Sequence, residues 1–480
     1  MDAINELQKI VGSENVLYGE SLEQYEIDPS GKYNGSSLAV VRPLNTTQVS
    51  ELVKLANELK MPIIPQGGNT GLAGGCFAGE GGDAIILSLN RMNNIREIRS
   101  DGRIAIVEGG VILSKLHDAA AKYDLIFPLF FGARGSAMIG GNLATNAGGS
   151  NVLRYGNTRD LVLGIEAVMP NGQIVDLMSE LHKDNSGYNL KHLLIGAEGT
   201  LGIITAAVVK LFPKPKAYAT AIISIPDLTY ALPILNELNK MTNNCVEAFE
   251  YMPEEYFNAL CERFEDMRQP FTKPAKHAVF LEIGAMSQED AMPDKNGNIP
   301  IEAKVENLFA DWLKSGEILD AVICKSETQR SEMWERRERA YEGGLLKGVP
   351  VACDVSVAID KVHDFLTTVK SRVYSLNPNS ETLTVSHLGD GNLHFTVWME
   401  PKTKGMGTLE DREKVTEVIE ETVLELGGSF SAEHGIGLAK LSSMSRRKDP
   451  NAIEVMRSIK MALDPNNIMN PGKVIPARLS

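Results

Sequence analysis

Cysteine is sparse and unpatterned in this chain. The five cysteines, Cys76, Cys245, Cys261, Cys324 and Cys353, lie far apart, with no CxxC pair and an odd total. Neither a disulfide framework nor a cysteine-ligated cluster is expected, and a reducing compartment fits best. Positive charge is also short: 48 Lys and Arg stand against 62 Asp and Glu, a formal net charge of −14. This balance argues against nucleic acid or an anionic membrane as the main partner. No apolar run approaches the roughly 18 residues of a membrane span. The opening MDAINELQKIVGSENVL alternates charged and apolar residues from the start, so no leader and no transmembrane segment are expected, and the location reads as cytoplasmic. Repeats and low-complexity tracts are missing, as are the GxGxxG dinucleotide fingerprint and the GxxxxGKS/T phosphate loop.

Glycine, by contrast, is concentrated. Residues 132–149 hold Gly132, Gly135, Gly140, Gly141, Gly148 and Gly149, interleaved with Ser136, Asn142, Thr145 and Asn146 and almost no charge. Glycine lets a backbone come close to another molecule, so this density predicts chain wrapped against a large ligand rather than helix or strand. Small polar side chains and bare amides then supply hydrogen bonds without bulk. The alternative is a glycine-rich surface loop, against which Met138, Ile139 and Leu143 argue for burial.

At 480 residues, with 43% hydrophobic and 23% charged residues, the chain is long enough for two or three globular domains. Residues 3–11 read as a short helix. SLAVVRP (37–43) reads as a strand, residues 46–59 as an amphipathic helix capped by Thr46 and Thr47, and MPIIPQ as the next strand. GGNTGLAGG (67–75) follows directly, where a crossover unit offers backbone amides to a phosphate; taken alone it is equally a plain turn. Strands are expected at 83–92 and 103–111, a helix at 114–123, and a hairpin around Pro170-Asn171-Gly172. HLLIGAEGTLGIITAAVVKLFP then turns on Gly196, Gly199 and Gly202 into a long strand, and Pro213 and Pro215 mark a boundary near residue 215. Beyond it lies an α+β module, with helices near 227–242 and 300–314 and strands near 217–225, 277–284 and 320–326. Helices at 408–426 and 451–463 flank GGSFSAEHGIG, and DPNNIMNPGKVIP follows the second.

Chemistry concentrates in TLTVSHLGDGNLHFTVWM (382–399). His387 and His394 would point to opposite faces of one straight strand. Gly389-Asp390-Gly391 breaks the run, and Asp-Gly between alternating segments predicts a hairpin with the two histidines facing each other across its arms, Cα atoms roughly 4.5–5.5 Å apart. That is a workable metal pair; the other reading is hairpin-packing histidines. Glu433 in SAEHGIG offers a third ligand, giving a site with room for a substrate oxygen, as for zinc or another divalent ion used as a Lewis acid. In extended chain His434 does not share Glu433's direction, which leaves it free to act as a general base. ETQRSEMWERRERAYEGG (327–344) reads as a charged helix, ordinarily a solvated face; one inward-turned arginine would suit a substrate carboxylate.

These motifs together resemble one family. PQGGNTGLAGG, GARGSAMIGGNLATNAGG with RYGNTRDLVLG, KDNSGYNLKHLLIGAEGTLGIIT, HLGDGNLH, SAEHGIG and DPNNIMNPGKV are similar, in order and over nearly the whole chain, to FAD-linked D-2-hydroxy acid dehydrogenases of the vanillyl-alcohol-oxidase type. Within it the nearest are the D-2-hydroxyglutarate and the D-lactate and glycolate dehydrogenases. The resemblance implies an α+β fold with a two-part FAD-binding domain of the PCMH type at 1–215, an α+β substrate-binding cap at 216–425, and a carboxyl-terminal segment, 426–480, that completes the active site. It implies that FAD is bound by Pro65, Gln66, Gly67, Gly68, Asn69, Thr70, Gly71 and Leu72, with its pyrophosphate over Gly67 to Gly71. Further cofactor contacts are implied for Gly135, Ser136, Gly140, Gly141, Asn142 and Thr145, and for Asn146, Gly148, Gly149 and Tyr155. The turn of Glu198, Gly199, Gly202 and Ile203 is placed near the isoalloxazine, to which Asn470 returns. By the same resemblance His387, His394 and Glu433 hold a zinc-like ion, His434 acts on the substrate hydroxyl and Arg337 binds its carboxylate.

Three departures bear on the substrate. Where D-2-hydroxyglutarate dehydrogenases carry a threonine, a lysine and an asparagine, this chain has Tyr341, Ala352 and Thr396, with Lys347 as a substitute cation. The expected reaction is oxidation of a D-2-hydroxy acid to the 2-oxo acid, with hydride passing to flavin N5. D-2-hydroxyglutarate is the first choice, with D-lactate, D-malate or glycolate as alternatives. Lacking cysteine motifs for an iron–sulfur centre, the enzyme would need a separate electron acceptor, an electron-transfer flavoprotein or quinone-linked carrier, and a homodimer is compatible with this reading. A rival of another class is a zinc metallohydrolase with a nucleotide-binding domain; a third is a flavin-binding electron-transfer subunit without catalysis.

Overall fold

The computed structural model describes residues 3–28, 31–340, 350–400 and 407–478. Three sheets carry the architecture. In the first, strands Val16–Leu17, Ala39–Val41, Ile85–Ser88 and Ile63–Gln66 lie side by side in that order, the last three parallel. Parallel strands need a crossover, and helix Thr46–Leu59 joins Ala39–Val41 to Ile63–Gln66, burying Val49, Leu52, Val53 and Ala56. Its cap is Asn45, whose side chain accepts from Gln48 N, rather than Thr46 or Thr47. Asn45 is the last residue in extended conformation, which is where an N-cap must sit.

The second sheet is antiparallel, ordered Ile95–Arg99, Ile104–Glu108, Ile203–Lys210, Val162–Val168, Ile174–Leu177. Its last two strands form the Asn-Gly hairpin, with Gly172 at φ 79. The third is a seven-stranded antiparallel sheet drawn from residues 217–398, ordered Asp320–Ile323, Ala217–Ser224, His277–Ala285, Val246–Pro253, Glu381–His387, Asn392–Trp398, Val351–Ser356.

Alternation along these seven strands decides where function can lie. One face packs Phe249, Leu281, Phe395 and Val355 against helices carrying Leu235, Phe309, Trp312, Phe365 and Ile419. The opposite face therefore receives the intervening residues Glu250, Glu282, His387, His394 and Asp354. Helices Glu254–Arg263 and Glu327–Glu338 cover part of that second face through Tyr256, Phe257, Leu260 and Met333.

The carboxyl-terminal segment returns to the first sheet. Ile63 N donates to Ile468 O at 2.7 Å and Asn470 N to Ile63 O at 2.8 Å, so residues 468–470 run alongside strand Ile63–Gln66. Residues 139–145 of the glycine-rich stretch form a short helix, Ile139–Thr145, against the expectation of irregular wrapping. Gly140 explains it: a Cβ there would lie 3.0 Å from Gly109 O, so a glycine-bearing helix is what allows this close packing. No helix among the described residues is long and apolar enough to cross a membrane.

Candidate active site

Sheet register places the first histidine pair. His387 is opposite Asn392 and His394 opposite Val385, so the two are diagonal neighbours rather than a facing pair. The turn between the arms takes four residues, Leu388–Gly391, which shifts the register from the one expected. Both side chains still share one face, with ring centroids 5.4 Å apart.

Glu433 and His434 arrive from a loop of bends after the bridge between Ser356 and Ser429. The loop is not extended, and the two neighbouring side chains converge instead of diverging. Glu433 Oε1 lies 3.8 Å from His387 Nε2, 3.5 Å from His394 Nε2 and 3.6 Å from His434 Nε2. These separations exceed a hydrogen bond. Those to His394 and His434 match the about 3.3–3.6 Å between two ligands that each stand 2.0–2.2 Å from one tetrahedral ion, and that to His387 is longer. The donor set therefore fits a divalent cation. The ligand atoms that lie within 4.8 Å of one another are those of Asp354, His394, Glu433 and His434; the expected ligand His387 is not among them, its Nδ1 facing Glu250 and its ring facing Arg337 Nη2.

Two carboxylates that the motifs did not single out stand behind the imidazoles. Glu250, 1% exposed, accepts from Arg337 Nε at 2.5 Å and sits 2.9 Å from His387 Nδ1. Asp354, 4% exposed, lies 3.8 Å from His394 Nδ1 and 3.6 Å from His434 Nδ1. Acids inside the apolar strands VEAFEYM, which holds Glu247 and Glu250, and VACDVSV were the available signal, since an unpaired buried charge is too costly to be idle. Burial opposes the charge on His387, but Glu250 overrides it and the pKa rises to about 8. Burial, with positive His387 beside it, holds His394 well below the ordinary histidine value. For Glu250 and Asp354 burial opposes ionisation, yet the imidazoles, with Arg337 and Lys440 respectively, hold both below the usual carboxylate range.

Arg337 is the inward arginine of helix Glu327–Glu338. Arg330, Met333, Trp334 and Arg337 follow the helical period, so they form the stripe that faces the sheet. Arg337 is 7% exposed, and its Nη2 packs 3.3 Å from both His387 ring nitrogens. Ala352 is paired with Thr396, on the site face of the sheet. Tyr341 and Lys347 fall outside the described residues.

Beside this cluster runs a cleft between the first two sheets. Pro65, Gln66, Gly67, Gly68, Asn69, Thr70 and Gly71 line it, with Gly140, Gly141, Asn142, Thr145, Glu198, Gly199, Gly202 and Ile203, and His434 reaches its wall. Two kinds of glycine occur. A Cβ at Gly68 would stand 2.0 Å from Ser136 O, whereas at Gly71 and Gly141 it would meet nothing within 4 Å. The first permits close packing of the wall; the other two leave backbone bare to a ligand. Asn142 Nδ2 in the cleft wall and Asn470 Oδ1 beside it are buried without a hydrogen-bond partner, which fits a bound group offering both an acceptor and a donor, as a flavin ring does.

Eight other residues expected at the cofactor do not line the cleft. Leu72 lies outside it, and Gly135 has open space around it. Ser136 and Gly149 serve backbone packing, a Cβ on Gly149 falling 2.2 Å from Phe130 O. Asn146 ends helix Ile139–Thr145 in a left-handed conformation and accepts from Arg159 N. Gly148 abuts Glu433, a Cβ there lying 3.0 Å from Oε2. The Tyr155 hydroxyl donates to Glu247 at 3.0 Å, across to the seven-stranded sheet. Asn470 stands behind the wall, donating to Gly75 O at 3.0 Å and Glu198 O at 2.8 Å.

Comparison with known proteins agrees with this geometry. Residues 37–178 match the FAD binding domain model, and residues 214–474 match that of the FAD linked oxidases, C-terminal domain. The D-2-hydroxyglutarate dehydrogenase of Stutzerimonas stutzeri is 33% identical over 476 residues, covering 99% of each chain. That of Xanthomonas citri pv. viticola is 33% identical over 453 residues, 94% of this chain and 92% of the relative. The mitochondrial enzyme of Rattus norvegicus is 33% identical, over 96% of this chain and 82% of its own length. Among solved structures, p-cresol methylhydroxylase superposes with a TM-score of 0.71 at 16% identity, over 98% of this chain and 96% of the other. An alkyldihydroxyacetonephosphate synthase does so with 0.71 at 18%, over 98% and 86%. These two show the fold alone, an α+β arrangement of the PCMH type. With both family models matched and full-length relatives at this identity, the chain belongs to the FAD-linked oxidase family and is an FAD-linked oxidoreductase.

Proposed function

We propose that this protein oxidises a D-2-hydroxy acid to its 2-oxo acid, with D-2-hydroxyglutarate as the substrate its relatives support best. The observation that carries the reading is the position of His434, which lines the flavin cleft and also reaches the carboxylate–histidine cluster. A substrate carbon held there has a proton acceptor and a cation site on one side and the cofactor cleft on the other.

In this reading His434 Nε2 takes the hydroxyl proton, its Nδ1 turned toward Asp354. FAD, when bound, supplies the two-electron chemistry, accepting the hydrogen on the adjacent carbon as hydride. His387, His394 and Glu433 would hold a divalent cation, zinc by ligand type, which supplies Lewis-acid polarisation of the hydroxyl. Arg337, its Nε fixed by Glu250, would bind the substrate carboxylate through its guanidinium. Met138 and Leu89 join the glycines in lining the cleft and limit water there.

Ala352 and Thr396 favour a second reading. They face the site and offer no charge to a second carboxylate, as suits D-lactate or glycolate, whereas D-malate, like D-2-hydroxyglutarate, carries one. The reading also takes a cytoplasmic enzyme that hands its electrons to a separate acceptor, an electron-transfer flavoprotein or quinone-linked carrier, with a homodimer as its compatible assembly. It divides the chain near residues 215 and 425. The test is the anaerobic visible spectrum on adding each acid in turn. Bleaching of the flavin band by one of them supports the reaction and names the acid; a flavin band that no 2-hydroxy acid bleaches, in protein loaded with zinc, sinks it.

A further inference from the structure

The loop that carries Glu433 and His434 has no ladder of its own, and it is clamped from two sides by buried carboxylates. On the cleft side Glu198 accepts from Ile436 N at 2.7 Å and Gly437 N at 2.8 Å. On the sheet side Asp354 Oδ2 accepts from Glu433 N at 3.0 Å and His434 N at 2.9 Å. Asp354 is itself fixed by strand Val351–Ser356, by Asn392 Nδ2 donating to Oδ1 at 2.8 Å, and by Lys440 Nζ 3.5 Å away.

Asp354 also faces the imidazole Nδ1 atoms of His394 and His434, whose Nε2 atoms both point at Glu433 Oε1. The geometry points to Asp354 as the positioning residue of this site: one carboxylate takes the backbone N–H groups of Glu433 and His434 and sets its charge 3.6–3.8 Å behind the Nδ1 atoms of two imidazoles whose Nε2 atoms face cation and substrate. A carboxylate behind a ligating histidine fixes ring orientation and raises ligand basicity. Here one carboxylate does so for a ligand and a proton acceptor together, which couples cation binding to proton transfer. The inference rests on the reading above of His394 and Glu433 as cation ligands and His434 as the base.

The test uses the full-length flavoprotein and Asp354→Asn, which keeps size and one acceptor but removes the charge. Zinc affinity is measured by competition with a chromogenic chelator, flavin content by absorbance, and turnover with whichever acid the wild type oxidises. The expected result is zinc affinity weakened about 10- to 100-fold, wild-type flavin content, and a loss in kcat larger than the change in KM. A second measurement needs no variant. In wild-type protein the amide protons of Glu433 and His434 should be protected from hydrogen exchange, and unprotected exchange there overturns the inference, as does zinc affinity unchanged in Asp354→Asn. If the variant fails to hold flavin, the wild-type exchange decides. A wild type that binds no divalent cation defeats the cation reading itself, and exchange at Glu433 and His434 then still tests whether Asp354 anchors the loop.

Discussion

Glu198 gives the sharpest test of how the flavin cleft and the catalytic loop are joined. It is 9% exposed, adopts φ 51, and both its oxygens take backbone N–H groups of the loop after His434. Glu198→Ala leaves the backbone conformation as strained as before, because alanine carries a Cβ too. What changes is that two N–H groups lose their acceptors inside the protein. At about 1–3 kcal/mol for each unsatisfied group, the docked loop should lose roughly 2–6 kcal/mol relative to the open one. Glu198→Gln keeps one carbonyl oxygen and turns an NH2 toward the other donor, so about half that loss is expected. The assay is hydrogen exchange of the Ile436 and Gly437 amides by mass spectrometry, with flavin reduction rate measured beside it. Exchange in Glu198→Ala should accelerate roughly 30-fold or more, since each 1.4 kcal/mol is a factor of ten. Glu198→Gln should fall between the two, and reduction should slow in the same order. Wild-type exchange in Glu198→Ala would refute the reasoning, because it would mean that these N–H groups find water or another partner without cost.

Three other outcomes follow from the same structure. Gly68→Ala drives a Cβ against Ser136 O and should lower the melting temperature and the flavin-to-protein ratio. Gly71→Ala, with open space, should keep the melting temperature and lower only the flavin ratio; equal behaviour of the two would contradict the division between packing and ligand-facing glycines. Glu247, 2% exposed, pairs with Arg154 across from the glycine-rich segment, so Arg154→Met should destabilise by about 3–5 kcal/mol in urea unfolding. Glu247→Gln in the same chain should recover part of that loss, and no recovery would mean the charge pair is not the cause. Burial, only partly offset by the Leu129 carbonyl, holds His117 at about 4, below its ordinary 6.5. Its contribution is complete above pH 6.5 and is lost as pH falls toward 4, about 2 kcal/mol of it between pH 7.5 and 5. His117→Phe should show a correspondingly flatter fall in urea midpoint over that range, and an identical slope would rule the histidine out.

Local pattern settled much of the fold. The Asn-Gly hairpin, the crossover helix and the strand–turn–strand bearing His387 and His394 each follow from periodicity and turn residues within one short segment. Strand Val351–Ser356 is not legible in the same way, because a short apolar run does not say which partner it pairs with. The glycine-rich stretch misled in one respect. Glycine density signals close approach, but not whether ligand or the protein's own backbone approaches, and Gly140 and Gly149 turn out to touch backbone.

The sequence by itself determined the residue types of the site, since HLGDGNLH and SAEHGIG already hold three histidines and a carboxylate in two short motifs, and the family to which they point. It could not determine their convergence. Glu250 and His387 are far apart in the chain and become neighbours only through strand pairing; Asp354 meets Glu433 and His434 only because the loop bridges Ser356 at Ser429. Which face a side chain takes is local and has period two, but which strands share that face is a long-range choice made by packing. That choice turned two otherwise unremarked acids into the supports of the site and left His434 between the cleft and the cation ligands.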